Sequence, residues 1–573
     1  MPGPPSALVF ALAIAVFAGV IGIAYRSRQW TRHPEGVGRW LSGPWAPVVA
    51  GILTAAAVRF VWGSLNAPGV IHDEHAYLVQ AQIFAQGRWT AASPPIAAFF
   101  EQMHVFVEPA VFAKYPPGHA LMLVPGIWLG LPGLMPVLLT GISGSLVFWI
   151  ARRLSNEWVA LLTWWPWTTA GATLLWSTSY LSETTSMTMW LTATWATIRW
   201  IDSGRGTLLA VAAAAIAWGL ITRPLTMAGL ALPLAFVILR RHAAARSWRP
   251  LVVPVLVGAA ILALAPVWNQ QTLGDWRRDP YSYYSRVYFP FDKPGFGVDA
   301  SPPLRTVPPE MAAVGDWSRE LHQHHEVTSL PSALLLRVVA ILFWFAEGWR
   351  VVLGALVLAA VLYGSKAERL ALIPAAILLL AYLSFAHPPM WIVYYFEVLP
   401  ILYYLAARQL GRLFHKFGAV LESAARWPAS AANASIATVI LLLPLGLMDI
   451  GRVRTAVDGR DLFNHAARAA IESIPSGRAI VFVRYAPGHS PHRAIARNEA
   501  ELESAERWIV HDRGLQNAEL QALAPDRAAY LLDTATLSVE RLPVLPKQAP
   551  ALNAGSARGS GPTGTTHAPR RAH

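Results

Sequence analysis

The chain has 573 residues, of which 54% are hydrophobic and only 14% charged, against roughly a quarter charged in an ordinary soluble domain. This excludes a soluble globular protein and predicts a polytopic membrane protein. The lack of cysteine excludes disulfides and thiolate metal sites, and whether the formal charge of +13 means nucleic acid depends on where the basic residues lie.

Apolar windows long enough to cross a ~30 Å hydrocarbon layer recur about twelve times. The predicted spans cover 8–25, 47–66, 134–150, 159–178, 184–199, 207–221, 225–239, 251–268, 351–363, 370–385, 392–407 and 436–450. The first has no small-residue cleavage site and reads as an anchor; with the loop that follows, it makes 1–46 an extra leading segment. Cations collect in alternate connections: Arg26, Arg28, Arg32 and Arg39, then Arg152 and Arg153, then Arg199 and Arg205, then Arg240, Arg241, Arg246 and Arg249. The set continues with Lys366 and Arg369, then Arg408, Arg412, Lys416 and Arg426. These loops read as cytoplasmic. The opposite short connections, "STSYLSET", "ITRPLT" and "FAHPPMW", hold only Arg223. Topology therefore accounts for the charge, and no nucleic-acid partner is expected.

Parity puts the outer loops 67–118 and 269–331, and the chain after 451, on the periplasmic or extracellular side. Two further apolar stretches, 119–131 and 332–349, read as helices lying at the outer interface. Beyond the last span, "RAIVFVRY", "ERWIVHDRG" and "DRAAYLLD" read as strands and "NAELQALA" as a helix, predicting a small extramembrane α/β domain over 451–546. From Lys547 the Ala, Gly, Ser, Pro and Thr composition cannot bury a core, so 547–573 reads as a disordered tail. The predicted fold class is mainly α: a transmembrane helical bundle, 47–450, with outer interfacial helices and that small α/β domain.

In "IHDEHAYLVQAQIFAQGRW" the apolar residues Tyr77, Leu78, Ala81, Phe84 and Ala85 fall on one helical face, predicting a helix on the bilayer surface. Asp73 and Glu74 occupy its first turn, where the helix dipole favours carboxylates and where ordinary capping also places them. The same loop continues "FFEQMHVF" and "FAKYPPGHALM", adding Glu101, His104, Lys114, Tyr115 and His119. Glu101 and His104, spaced as Glu-x-x-His, could share a helical face and either bind a divalent ion or pair by hydrogen bonding. His322, His324, His325 and Glu326 in "HQHHE" offer metal donors without a catalytic role. Glu397, inside an apolar window, needs a partner, for which an inward-facing cation would serve.

The Asp-Glu pair just after a span, the helix that follows, the "KYPPG" stretch and the many spans resemble the glycosyltransferase C superfamily. The similarity is greatest to its branch of protein O-mannosyltransferases and lipid A aminoarabinose transferase. "HDEHAY" matches the acidic motif and "KYPPG" the basic-proline motif, with a tyrosine inserted after the lysine; motif-level likeness is confined to 73–118. The resemblance implies a catalytic acid in the first outer loop and a polyprenyl-phosphate-linked sugar as donor.

Such a transfer needs a base for the acceptor hydroxyl and a cation for the departing phosphate. Asp73 is the expected base, with Glu74 supporting it, and Lys114 and Arg223 are the expected phosphate-binding cations. Glu101, His104, Tyr115, Glu183 and Tyr394 are the expected substrate contacts. Structural readings stand beside these: Lys114 snorkelling to headgroups, Arg223 capping a helix, Glu183 as a first-turn acid and Tyr394 in an aromatic belt. No metal site and no cofactor are expected, and the transfer is expected to invert the sugar. The partners expected are the lipid-linked sugar, membrane lipids and a glycan, lipid or protein acceptor, in a bacterial-type inner membrane with the site facing out. A polyprenyl-lipid transporter or flippase would instead show repeats or ionisable groups near the midplane, and a non-catalytic scaffold leaves the outer carboxylates unexplained.

Overall fold

The computed structural model describes residues 33–425, 431–460, 462–475, 477–489, 492 and 494–543. The predicted span 8–25 and the tail 547–573 lie outside these residues. Six described helical segments are long and apolar enough to cross a membrane, or up to seven if one bent pair is counted as a single span. They are Trp45–Trp62, Leu134–Leu154, Pro224–Ala244, Arg249–Leu273, Val327–Phe345 and Ala432–Gly459, and the pair is Gly348–Tyr363 with Lys366–Tyr382, bent by 111°.

This is fewer than the about twelve expected from apolar windows, for identifiable reasons. The window 159–178 breaks into helices Glu157–Thr168 and Gly171–Ser177. The window 207–221 forms a helix of only 15 residues, and 392–407 opens with 3-10 turns before a helix starts at Leu399. Helix Glu183–Ser203 is rich in Thr and Ser, whose hydroxyls bond back into the bundle, as Thr188 Oγ1 does to the Leu139 and Thr184 carbonyls. The stretch read as interfacial over 332–349 is corrected in the other direction: Val327–Phe345 passes on length and apolarity. Its Arg337 is buried and donates to the carbonyls of Tyr382 and Phe385, 2.5 and 2.8 Å away.

Close packing holds the bundle together where side chains are small. A Cβ on Gly51 would stand 2.8 Å from the Gly141 carbonyl oxygen, so helices Trp45–Trp62 and Leu134–Leu154 touch backbone to backbone, as small residues permit. At one end of the bundle the basic connections meet. Arg152 reaches the Leu41 and Gly43 carbonyls, Arg153 pairs with Asp202, and Arg408 and Arg412 pair with Glu368. At the other end the outer connections meet: Tyr180 bonds the Ala67 carbonyl, Gly133 the Leu65 carbonyl and Gly118 the Ile221 carbonyl.

Helix His72–Ala85 belongs to this second end, and protein covers it on two sides. One side (Tyr77, Leu78, Ala81, Phe84) packs into an aromatic core with Trp268 and Tyr284. The other side (Ala76, Val79, Ile83) packs on the hairpin of β1 (Val105–Phe106) and β2 (Phe112–Ala113) and on Ala500. The glutamines of this helix serve neighbours: Gln80 bonds the Trp89 carbonyl and the Ala113 amide, and Gln82 accepts from the Ala500 amide.

After the last long helix a four-stranded sheet forms from β3 (Ala479–Arg484), β4 (Arg507–His511), β5 (Ala528–Asp533) and β6 (Ser538–Arg541), in the order β4-β3-β5-β6. β3 runs parallel to β4 and β5, and β6 is antiparallel to β5. Alternation on β3 sends Ala479, Val481 and Val483 to helix Leu462–Glu472, and Ile480 and Phe482 to Ala97, Phe99 and Phe100 of the first outer loop. The sheet is thereby docked against the loop that carries the site.

Candidate active site

Asp73 is the second residue of helix His72–Ala85, so the unpaired amides and dipole of the helix start favour its negative charge. Tyr115 donates its hydroxyl to Oδ1. His72 Nε2 lies 3.0 Å from Oδ2 and His104 Nε2 3.6 Å from Oδ1. Burial opposes ionisation of Asp73, but His72, His104 and the hydrogen bonds from His72 and Tyr115 more than offset it, holding the carboxyl well below the usual range. His104 is driven toward its neutral form by burial and then by nearby Lys114. Its backbone sits in the left-handed region at φ 68°, and its amide donates to the Tyr284 hydroxyl at 2.9 Å. The Asp73 side chain keeps 28% of its surface exposed while His72 and His104 are nearly covered. A carboxylate braced on several sides and open on one can still take a proton from a ligand.

Lys114 follows β2, and its amide bonds the His104 carbonyl at 2.9 Å. The side chain is buried, with Nζ 4.7, 5.1 and 5.4 Å from the ring centres of Tyr281, Tyr284 and Tyr115. Ring faces attract the ammonium. No carboxylate lies within ion-pair distance of it among the described residues. Burial pulls its pKa below the usual 10.5, against the pull of Asp292 and Asp73. The Tyr281 hydroxyl is pushed well up by burial and then by Asp292, Tyr394, Tyr382 and Asp73, so these groups act on one another across one space.

Arg223 ends the turn before helix Pro224–Ala244 and forms a buried ion pair with Glu183, the first residue of its own helix. Its guanidinium lies 5.8 Å from the Tyr394 ring centre. Ser186 donates to Glu397 Oε1, and Oε2 of both Glu183 and Glu397 is buried without a hydrogen bond among the described residues. Of the expected cations, Arg223 is therefore already charge-compensated and Lys114 is not.

Asp73, Lys114, Tyr115, His104, Arg223, Glu183 and Tyr394 thus share one region. Glu74 does not join them: it is buried, and its carboxylate accepts from the Val70 amide at 2.8 Å. Glu101 turns to Arg305 at 3.1 Å and Tyr288 at 3.2 Å. Since 101–104 form a bridge and turn, Glu101 and His104 share no helical face. The "HQHHE" histidines diverge, His322 to the Ser318 carbonyl and His325 to that of Leu383. Glu397 meets Ser186 and Arg223, the latter from an outer connection.

The sequence reading missed His72, Tyr281, Tyr284 and His492. Tyr281, Tyr284 and Tyr288 repeat at helical spacing in "DPYSYYSRVY" behind the Asp279 cap, a stripe that could have been read. His492, stacked on His72 at 4.9 Å, carries no such signal. His72, Asp73 and His104 also offer ligand atoms within 4.8 Å of one another, and two imidazoles with a carboxylate are a donor set suited to a divalent transition metal.

No family model and no curated protein matches the chain. Among solved structures it is similar to ArnT from Cupriavidus metallidurans bound to undecaprenyl phosphate, at 15% identity and a TM-score of 0.47 over 79% of this chain and 84% of that one. It is similar to the same protein in the apo state at 13% and 0.48, over 85% and 92%. A third is the archaeal oligosaccharyltransferase AglB from Archaeoglobus fulgidus, in complex with an inhibitory peptide and a dolichol-phosphate, at 11% and 0.39 over 87% and 72%.

Proposed function

We propose that the chain is an integral membrane glycosyltransferase that moves a sugar from a polyprenyl-phosphate donor to a hydroxyl acceptor. The observation that carries this reading is the juxtaposition, across Tyr115, of a partly open Asp73 carboxylate with Lys114, a buried cation that no carboxylate pairs among the described residues. Asp73 takes the proton of the acceptor hydroxyl as its oxygen bonds to the anomeric carbon. The bond from that carbon to the phosphate oxygen breaks, and the electron pair leaves on the polyprenyl phosphate, whose charge Lys114 meets. A single displacement of this kind inverts the anomeric centre. His72, His104 and Tyr115 hold the carboxylate, and Arg223 with Glu183 and Tyr394 forms the far side, where the sugar and phosphate hydroxyls and oxygens find partners.

The ends of the bundle support the orientation. The arginines at 152, 153, 408 and 412 gather at the end opposite to the Asp73 site, and cationic loops are retained in the cytoplasm. The site then faces the periplasm or exterior of a bacterial-type inner membrane. The test is mass spectrometry of envelope glycans, lipids and proteins from cells with and without the chain. A single sugar missing from one acceptor class is the expected result, and identical profiles would reject the activity.

A further inference from the structure

A continuous run of rings borders the site, drawn from separate parts of the chain. His492 stacks on His72 with centres 4.9 Å apart and planes 20° apart, and Trp317 meets the His492 ring edge to face at 6.0 Å. Trp317 lies 5.5 Å from Trp391, which in turn lies 6.4 Å from Tyr394 in a stacked arrangement. The run therefore begins beside Asp73, which His72 contacts, and ends over Arg223, which faces Tyr394. Trp317 stands on helix Pro309–Gln323, Trp391 before the 3-10 turn Ile392–Tyr394, and His492 in the connection between β3 and β4.

Trp317 and Trp391 are the two tryptophans of this run. Each is 37% exposed, and neither indole N–H has a partner among the described residues, whereas Trp164, Trp344 and Trp508 donate theirs to the protein. An open indole face with a free N–H at its edge suits a ligand with a flat C–H face and hydroxyls around its rim. A pyranose or furanose ring has that form: its axial C–H bonds carry slight positive charge toward the electron-rich face, and its hydroxyls accept from the indole. A peptide would call for backbone partners, and an acyl chain for a closed apolar groove.

We infer that Trp317 and Trp391 form the acceptor subsite and that the reactive hydroxyl belongs to a sugar ring, so that the acceptor is a glycan. This rests on the glycosyltransferase reading of Asp73. Through His492 and His72, Trp317 reaches the Asp73 carboxylate that takes the acceptor proton, and the platform so serves the acceptor side of the reaction.

The test uses the full-length protein in detergent, with Trp317→Ala/Trp391→Ala and Trp317→Phe/Trp391→Phe beside the wild type. Saturation-transfer NMR with maltotriose, α-1,6-mannotriose and chitotriose reads the platform without requiring turnover. The wild type and the Phe pair should transfer saturation to at least one trisaccharide and the Ala pair to none, with undecaprenyl phosphate binding unchanged in all three. In cells, the Ala pair should lower transfer roughly tenfold, a stacking-sized loss of about 1.4 kcal/mol, and the transferred sugar should be found on a ring hydroxyl. No saccharide bound by the wild type, equal binding by the Ala pair, or a product on serine, threonine or a lipid glycerol would overturn the inference. Saccharide binding by a wild type that transfers no sugar would reject the enzyme reading alone, and the two failures are thereby distinguished.

Discussion

At the scale of single residues, Asp73 and Lys114 are opposite charges kept apart by aromatic rings and prepared differently. Asp73 is held ionised by its neighbours, whereas Lys114 keeps its proton against burial with no ion-pair partner among the described residues. A ligand phosphate would relieve the lysine. Lys114→Ala is predicted to raise the donor KM about tenfold to a hundredfold, the loss of a charge-assisted contact worth roughly 1.5–3 kcal/mol. Because burial lowers its pKa below 10.5, the protonated lysine is lost as pH rises through that lowered value. The alkaline limb of kcat/KM should therefore fall below 10.5 in the wild type and vanish in Lys114→Arg, whose side chain does not titrate in this range. A limb common to both variants would assign it elsewhere. The residue types at these positions were legible in sequence, since a carboxylate pair after a span and a rare outer cation stand out. Glu74 was not, because the amide of Val70 that claims its carboxylate leaves no pattern in the chain.

At the scale of elements, the sequence-based pattern on helix His72–Ala85 was sound on one face and misleading on the other. Its glutamines look solvent-facing, yet Gln80 ties the Trp89 carbonyl at 3.1 Å and the Ala113 amide at 2.9 Å, one residue before Lys114. Gln80→Leu leaves both groups unpaired, at a cost of about 1–3 kcal/mol for each one buried. The predicted outcome is a lower melting temperature and a donor KM raised more than the acceptor KM, because Lys114 loses its bracket. An unchanged donor KM would show that the hairpin is held without it. Fewer described helices pass on length and apolarity than the windows suggest for a related reason: hydropathy averages over a window and does not register a break. The break at Thr169 and Ala170 meets a tertiary partner, whereas the bend between Tyr363 and Lys366 carries a local capping box of Ser365 with Glu368. Arg350 is that partner, buried against Asp449 at 2.6 Å and Thr169 at 2.9 Å.

At the scale of the whole molecule, the bundle gathers its cationic loops at one end and the candidate site at the other, and the C-terminal sheet covers the site loop. β3 and β4 were legible from their β-branched runs and β5 from its apolar run; their docking on Phe99 and Phe100 was not, since nothing in a linear pattern sets position 482 beside position 99. Phe482 is fully covered there. Phe482→Ala should cost about 3–5 kcal/mol, speed hydrogen exchange in 97–107 and lower turnover, while leaving exchange in the long helices unchanged. Arg497, which holds the Gly69 and Val70 carbonyls just before Asp73, couples the same region to the site. The central claim is that the Asp73 carboxylate removes the acceptor proton during sugar transfer. It is tested most directly by comparing purified wild type and Asp73→Asn in single turnover with the lipid-linked sugar that the envelope analysis identifies. The account predicts a rate about 10²- to 10⁴-fold lower with donor binding and melting temperature preserved; transfer by Asp73→Asn at the wild-type rate would contradict it.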